Sequence, residues 1–281
     1  MIDFMGKQLT NPLIASSCIA TESVSNVLNL VDNGIQGVIL KSCADYQRND
    51  TNGKRQFAVD SLGYTYASSP FEKEILTLDE CINMILELRK KTDILLIPSF
   101  TATNLNPNEW IEACHKLEKS GADAIQLDFF YMGNLIGTNE LSNKIVSLLQ
   151  NIISSIDIPI MPKLNINLPK DYIMPLLKKS GIEYVSLLDS VRSPYIESSN
   201  DKYYISKRLD AETTSCFGSW QLPLTISYTY TAIKNGLKVC AGGGITNIQD
   251  FKKLLDIGAT TVQSATLITK YPNVKEIISK L

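Results

Sequence analysis

Histidine is nearly missing from this chain: among 281 residues there is one, His115. Serine–histidine and cysteine–histidine catalysis therefore have no partner unless His115 itself serves. It lies in "WIEACHKLEKSGAD", whose spacing is helical, and reads as a helix-surface or half-buried residue. The same shortage argues against a zinc site. The six cysteines, Cys18, Cys43, Cys81, Cys114, Cys216 and Cys240, include no CxxC pair. They read as reduced, mostly buried thiols, and no metal is expected. An excess of charge of either sign is absent too. Lys and Arg number 27 against 29 Asp and Glu, so no broad basic field exists to attract nucleic acid. No apolar run is long enough to span a membrane, and "MIDFMGKQ" lacks the basic start and apolar stretch of a signal peptide. The expectation is a soluble cytoplasmic protein. Repeats, low-complexity tracts and linkers are missing as well, so residues 1–281 read as one domain, with 44% hydrophobic residues to fill a large core.

What is present is a rhythm. Short apolar runs at 12–16, 37–41, 93–99, 124–128, 158–163, 184–189, 238–242 and 260–265 alternate with amphipathic stretches. Continuous apolar runs suit parallel strands buried on both faces. Eight strand–helix units predict an α/β fold, a (β/α)8 TIM barrel, with a doubly wound open sheet as the alternative. Two polar stretches, 42–76 and 192–217, interrupt the rhythm and read as lids or short hairpins over the C-terminal face of the strands.

"CAGGGITNIQDF", residues 240–251, places three glycines between the seventh strand and a helix beginning near Asn247. Glycines let backbone N–H groups approach an anion, and a helix N-terminus adds partial positive charge. The eighth strand ends in Ser264-Ala265-Thr266, a second small-residue turn. Together the two turns predict a phosphate site at Gly243, Gly244, Ala265 and Thr266. The alternative is that the glycines serve a tight turn for steric reasons.

"GGGITNIQDFKKLLDIGATTVQSATL" resembles the C-terminal signature of the dihydroorotate dehydrogenase family, and other pieces agree in order and spacing. "NPLIASS" resembles the opening strand whose backbone lies along the flavin, which implies Ala15 and Ser16. "VILKS" resembles the strand whose lysine and serine meet the flavin ring, giving Lys41 and Ser42. "IPIMPKL" gives Lys163, at the flavin's N1/O2 edge, and "GSWQLP" gives Gly218. The resemblance implies an FMN-dependent oxidoreductase that moves hydride between a small substrate and flavin N5. No Rossmann fingerprint or cysteine cluster appears, so the electron acceptor or donor is expected to be external. Barrels of this family are often homodimers, and the resemblance carries that expectation. Its chemistry is coherent: a reduced flavin develops negative charge at N1/O2, which a fixed ammonium stabilises. The alternative for Lys41 and Lys163 is a structural ion pair with an aspartate.

The chain departs from the family at the substrate. The family's catalytic loop, roughly Asn-Leu-Ser-Cys-Pro-Asn, is replaced by "LDFFYMGN". Asp128 stands for the first asparagine, Tyr131 for the cysteine base, and Gly133 or Asn134 for the last asparagine. Asparagines are also replaced at Asp60, in "DSLGY", and at Asp189, before Ser190. Three carboxylates would repel anionic orotate at roughly a few kcal/mol per close pair. They point instead to a cationic or N–H-rich substrate, bound by Asp60, Asp128, Asn134, Asp189 and Ser190. Tyr131 and Asp128 are the candidate proton acceptors, with Lys41 beside them. Other readings stay open. The aspartates cap helices or pair with Lys41 and Lys163. The protein is a dihydroorotate dehydrogenase with an atypical base. It is a flavin-free phosphate-binding lyase using Lys163 as a Schiff base. Or it is a non-catalytic descendant.

Overall fold

A computed structural model of the chain describes residues 1–46, 56–59, 65–70, 75–130, 139–188, 190–193, 196–199, 202–205, 214–270 and 274–281. Of these, 56–59, 65–70, 192–193, 196–199, 202–205, 214–215 and 270 are described by their backbone alone. The fold is mixed α/β, built on a curled parallel sheet. Each of the eight apolar runs contains a strand: β1 Leu13–Ala15, β2 Gly37–Ile39, β3 Leu95–Ile97, β4 Ile125–Asp128, β5 Ile160–Lys163, β6 Tyr184–Leu187, β7 Lys238–Ala241 and β8 Thr261–Ser264.

The strands neighbour one another in chain order from β4 through β8 to β1, β2 and β3. All of these pairings are parallel. The order never reverses, whereas a doubly wound sheet reverses at its switch point. Beyond β3, across Pro98, Ser99–Phe100 pairs with β4 on one side and with Cys43 on the other. The run read as one strand at 93–99 is thus two short pieces flanking a proline, which has no N–H to give to a ladder.

Helices fill the gaps between strands, and their starts are visible in the side chains. Ser23 accepts the N–H of Asn26 before Val24–Asp32. Thr77 and Glu80 form a reciprocal capping box before Leu78–Arg89. Asn106 and Pro107 open Pro107–Lys119, and Asn247 caps Ile248–Asp256 as the sequence indicates. His115 lies on Pro107–Lys119 with 42% of its side chain exposed, 3.5 Å from Glu118.

Alternation along the strands sorts the core into two layers. Leu13, Ala15, Val38 and Leu96 face the helices. Ile14, Ile39, Leu95 and Ile97 face inward, where they meet Phe4, Met5 and Leu9. These last come from an antiparallel hairpin, Ile2–Phe4 with Lys7–Leu9. Lys7 ties the hairpin to Asp93 at 2.7 Å, just before β3. The Thr10 N–H donates to Gln36 Oε1 at 2.6 Å, just before β2. The hairpin therefore closes the N-terminal end of the sheet.

The two polar insertions share one structure. Residues 65–70 pair antiparallel with 56–59 and with 214–217, and 214–217 pairs with 191–193. A separate hairpin joins 196–199 to 202–205. No disulfide joins the six cysteines, and all but Cys18 are buried. Among the described residues no helix is long and apolar enough to cross a membrane, and no cluster of His, Cys, Asp or Glu is arranged to hold a metal.

Candidate active site

Because the strands are parallel, their C-terminal ends share one rim, and of the residues singled out in the sequence most of the described ones fall there. Ala15 ends β1 and lies beside Ser264 at the end of β8. Ser16 continues that contact through its N–H to Ser264 O at 3.4 Å. Lys41 and Ser42 follow β2 and are buried. Asp128 ends β4, Lys163 ends β5, and the register sets them side by side. Ser190 follows β6 and is half-buried. Gly218 opens the short turn Ser219–Gln221, accepting the N–H of Gln221 at 3.0 Å. Asp60, Tyr131, Asn134 and Asp189 lie outside the described residues.

The most closely knit part of the rim is Asp128. Its side chain is 1% exposed and that of Lys163 is 13% exposed, with Lys163 Nζ 3.4 Å from Asp128 Oδ2. The other oxygen, Oδ1, accepts the Phe130 N–H at 2.9 Å. Ser42 Oγ also reaches Oδ2 at 3.4 Å, and it meets Ser17 Oγ and Ser99 Oγ at 3.2 Å each. Ser99 Oγ in turn accepts Gln126 Nε2 at 2.9 Å. Both oxygens of the carboxylate are thus engaged, and burial makes such partners obligatory.

Across the sheet, Gln263 bridges two strand ends. Its Oε1 accepts Ser16 Oγ at 3.1 Å and its Nε2 donates to Ser186 Oγ at 2.6 Å. Ser17, Ser99, Gln126, Ser186 and Gln263 were not singled out from the sequence. A signal was there: Gln126, Ser186 and Gln263 are polar residues inside otherwise apolar strands, which only a lined interior tolerates.

The glycine turn has a packing reason as well as an open side. A Cβ on Gly243 would come 2.7 Å from Leu188 O and 3.0 Å from Thr225 Oγ1. One on Gly244 would run into the backbone of Leu222. Thr225 Oγ1 holds the turn through Gly243 O at 2.9 Å. Among the described residues, the N–H groups of Gly243, Gly244 and Ala265 find no hydrogen-bond acceptor. They stand at the ends of neighbouring strands β7 and β8. Thr266, itself exposed, begins the short helix Thr266–Lys270, and Ser264 Oγ accepts the Leu267 N–H at 3.1 Å.

No protein-family profile matches the chain. Two curated proteins do, both named dihydroorotate dehydrogenase B (NAD(+)), catalytic subunit. The one from Thermoplasma volcanium is 25% identical over 274 residues, covering 95% of this chain and 86% of the relative. The one from Thermoplasma acidophilum is 24% identical over 276 residues, 94% of this chain and 85% of the relative. Matched by both over most of its length, the chain is a distant relative of the dihydroorotate dehydrogenase family.

Proposed function

We propose that the protein is an FMN-dependent oxidoreductase whose sheet closes at Pro98 into a (β/α)8 barrel. One observation carries this reading. A buried lysine, Lys41, a half-buried one, Lys163, and a glycine turn with unanswered N–H groups share a single rim of parallel strand ends. The residues fit the cofactor part by part. The amides of Gly243, Gly244 and Ala265 suit a phosphate dianion, which needs several donors and close backbone approach. Ala15 and Ser16 offer backbone along a flat ring, and Gly218 borders the same rim. Lys41, Ser42 and Lys163 supply donors to the ring's polar edge.

When bound, FMN supplies N5 as the atom that takes or gives hydride. The chain's own task is to hold the substrate's C–H over that atom and to move a proton. Asp128 has both oxygens occupied within the protein, which leaves Tyr131 as the proton acceptor. Selection of a cationic or N–H-rich substrate then falls to Asp60, Asp189 and Ser190, with Asn134 beside them. The relatives' names describe a catalytic subunit, which agrees with an electron partner outside this chain.

The decisive test begins with the visible spectrum of the purified protein and mass spectrometry of what it releases on denaturation. Flavin absorbance and released FMN are expected. A stopped-flow screen of amines, amidines and guanidines beside dihydroorotate follows, read by bleaching of that absorbance. Bleaching by dihydroorotate alone would sink the substrate assignment. A protein that stays colourless after reconstitution with FMN would sink the whole reading.

A further inference from the structure

Among the described residues of the rim, Asp128 is a carboxylate held on every side by the fold. Strand register places it beside Lys163, the Phe130 N–H holds Oδ1, and Ser42, itself pinned by Ser17 and Ser99, holds Oδ2 together with the ammonium. A carboxylate kept for a substrate would present an open oxygen to the rim. Asp128 presents none, and its side chain is 1% exposed.

We propose that Asp128 is the counter-charge of Lys163: it positions the ammonium and offsets part of its field, which lowers the reduction potential of a flavin bound against that lysine. The inference rests on the FMN reading above. A lysine head on a four-carbon stem is mobile, and a buried carboxylate 3.4 Å away restrains it. The same carboxylate turns a single positive charge into a dipole, whose field falls faster with distance. Reduction of flavin by two electrons and one proton leaves a negative charge at the N1/O2 edge. That charge gains less from a paired ammonium than from an unpaired one. The reduced form is then favoured less, and the bound cofactor gives hydride more readily than it would beside an unpaired ammonium. Asp128 acts through Lys163 and is a positioning residue, not a catalytic one.

The test uses the full chain reconstituted with FMN. Wild type, Asp128→Asn, Lys163→Met and the double variant are titrated with dithionite as the electron source against dyes of known potential. Affinity for oxidised FMN is measured alongside by fluorescence quenching. Asp128→Asn is expected to favour the reduced over the oxidised cofactor by about tenfold, an upward shift of about 30 mV for a two-electron couple. Once Lys163 is Met, the same change at Asp128 should lose most of that shift through lysine, giving a non-additive cycle. An unchanged or lower potential in Asp128→Asn overturns the proposal, and so does an effect that is the same with and without Lys163. Asp128→Glu keeps the charge and should move the preference less than about threefold, by the proximity of the retained charge. A shift of about tenfold in the Glu variant would mean that shape is sensed rather than charge, and it overturns the proposal even if the Asn variant does not fold. Failure of wild type to bind FMN at all would instead defeat the cofactor reading, and this inference with it.

Discussion

At the N-terminal ends of the strands, Phe4, Met5 and Leu9 press into a layer of Ile14, Ile39, Leu95 and Ile97. At the C-terminal ends, Lys41, Ser42, Asp128 and Lys163 are held by hydrogen bonds and an ion pair in nearly as little contact with water. Both ends are buried, but by different means. The floor is stabilised by contact area, which tolerates no loss of volume. The rim is satisfied group by group, and its polar residues cost stability unless every partner stays in place. A layer that costs stability and persists belongs to function more than to folding.

The largest effect that separates the two ends is expected at Phe4, which is fully buried with its ring edge-on to Tyr184 at a centroid distance of 5.4 Å. Phe4→Ala should lower unfolding free energy by about 3–5 kcal/mol through lost burial and a residual cavity. Urea denaturation reads this directly. Affinity for FMN, measured on the remaining folded protein, should hold. If FMN binding weakened with stability, the floor and the rim would not be separable.

On the rim, the largest expected loss follows Lys163→Met, which leaves the carboxylate of Asp128 buried without the cation 3.4 Å away. Removing one partner of a buried pair costs about 3 kcal/mol, the low end of the usual range, since Lys163 keeps some contact with water. Adding Asp128→Asn should return part of that loss, because a neutral amide needs no cation. Two losses that simply add would mean that the pair contributes nothing as a pair.

How much of this contrast could be read beforehand differs between the two ends. The eight strands were legible because each is an apolar run closed by turn residues, and a helix was expected to begin near Asn247, which caps it. Lys41 and Lys163 stood out as charges that end apolar strands, so the rim was visible in outline. The floor was not. Its strands, Ile2–Phe4 and Lys7–Leu9, are three residues each, too short for a periodic signal. The four-stranded antiparallel sheet was hidden for another reason. It pairs 65–70 with 214–217, partners far apart in the chain, and no local pattern encodes a distant partner. The pairing of Asp128 with Lys163 was one alternative among several until register set them side by side. Gln126, Ser186 and Gln263 were visible as interruptions, but their hydrogen-bond partners come from other strands.

A third measurement compares glycines from the two ends with similar backbones. Gly6, in the floor hairpin, has φ +81° and open space where a Cβ would go. Gly244, at the rim, has φ +79°, and a Cβ there would meet the Leu222 backbone. Gly6→Ala should cost about 1 kcal/mol, the left-handed conformation alone. Gly244→Ala should cost about 2–3 kcal/mol, since conformational strain and a forced shift of Leu222 both act. It should also weaken FMN binding by at least about tenfold, because the amide proposed to face the phosphate moves with it. Equal costs at the two glycines would make the rim turn an ordinary one.

The smallest effect leaves stability untouched and asks only which end admits a reagent. Cys240 belongs to the floor layer, and burial pushes its thiol up to about 12. Cys114, on the buried face of Pro107–Lys119, is likewise pushed up to about 12, chiefly by burial. The thiol of Cys43 is raised well above its ordinary value by the neighbouring Cys81 and by burial. At pH 8 a thiol of pKa about 12 is ionised to roughly one part in ten thousand, and the thiolate is the nucleophile. Cys18, three residues beyond the end of β1, is half-exposed on the rim side. Brief treatment of the native protein with iodoacetamide at pH 8 should therefore add one label, at Cys18, by mass spectrometry. A label at Cys240 would show the floor opening in the native state, and would remove the distinction between a sealed end and a working one.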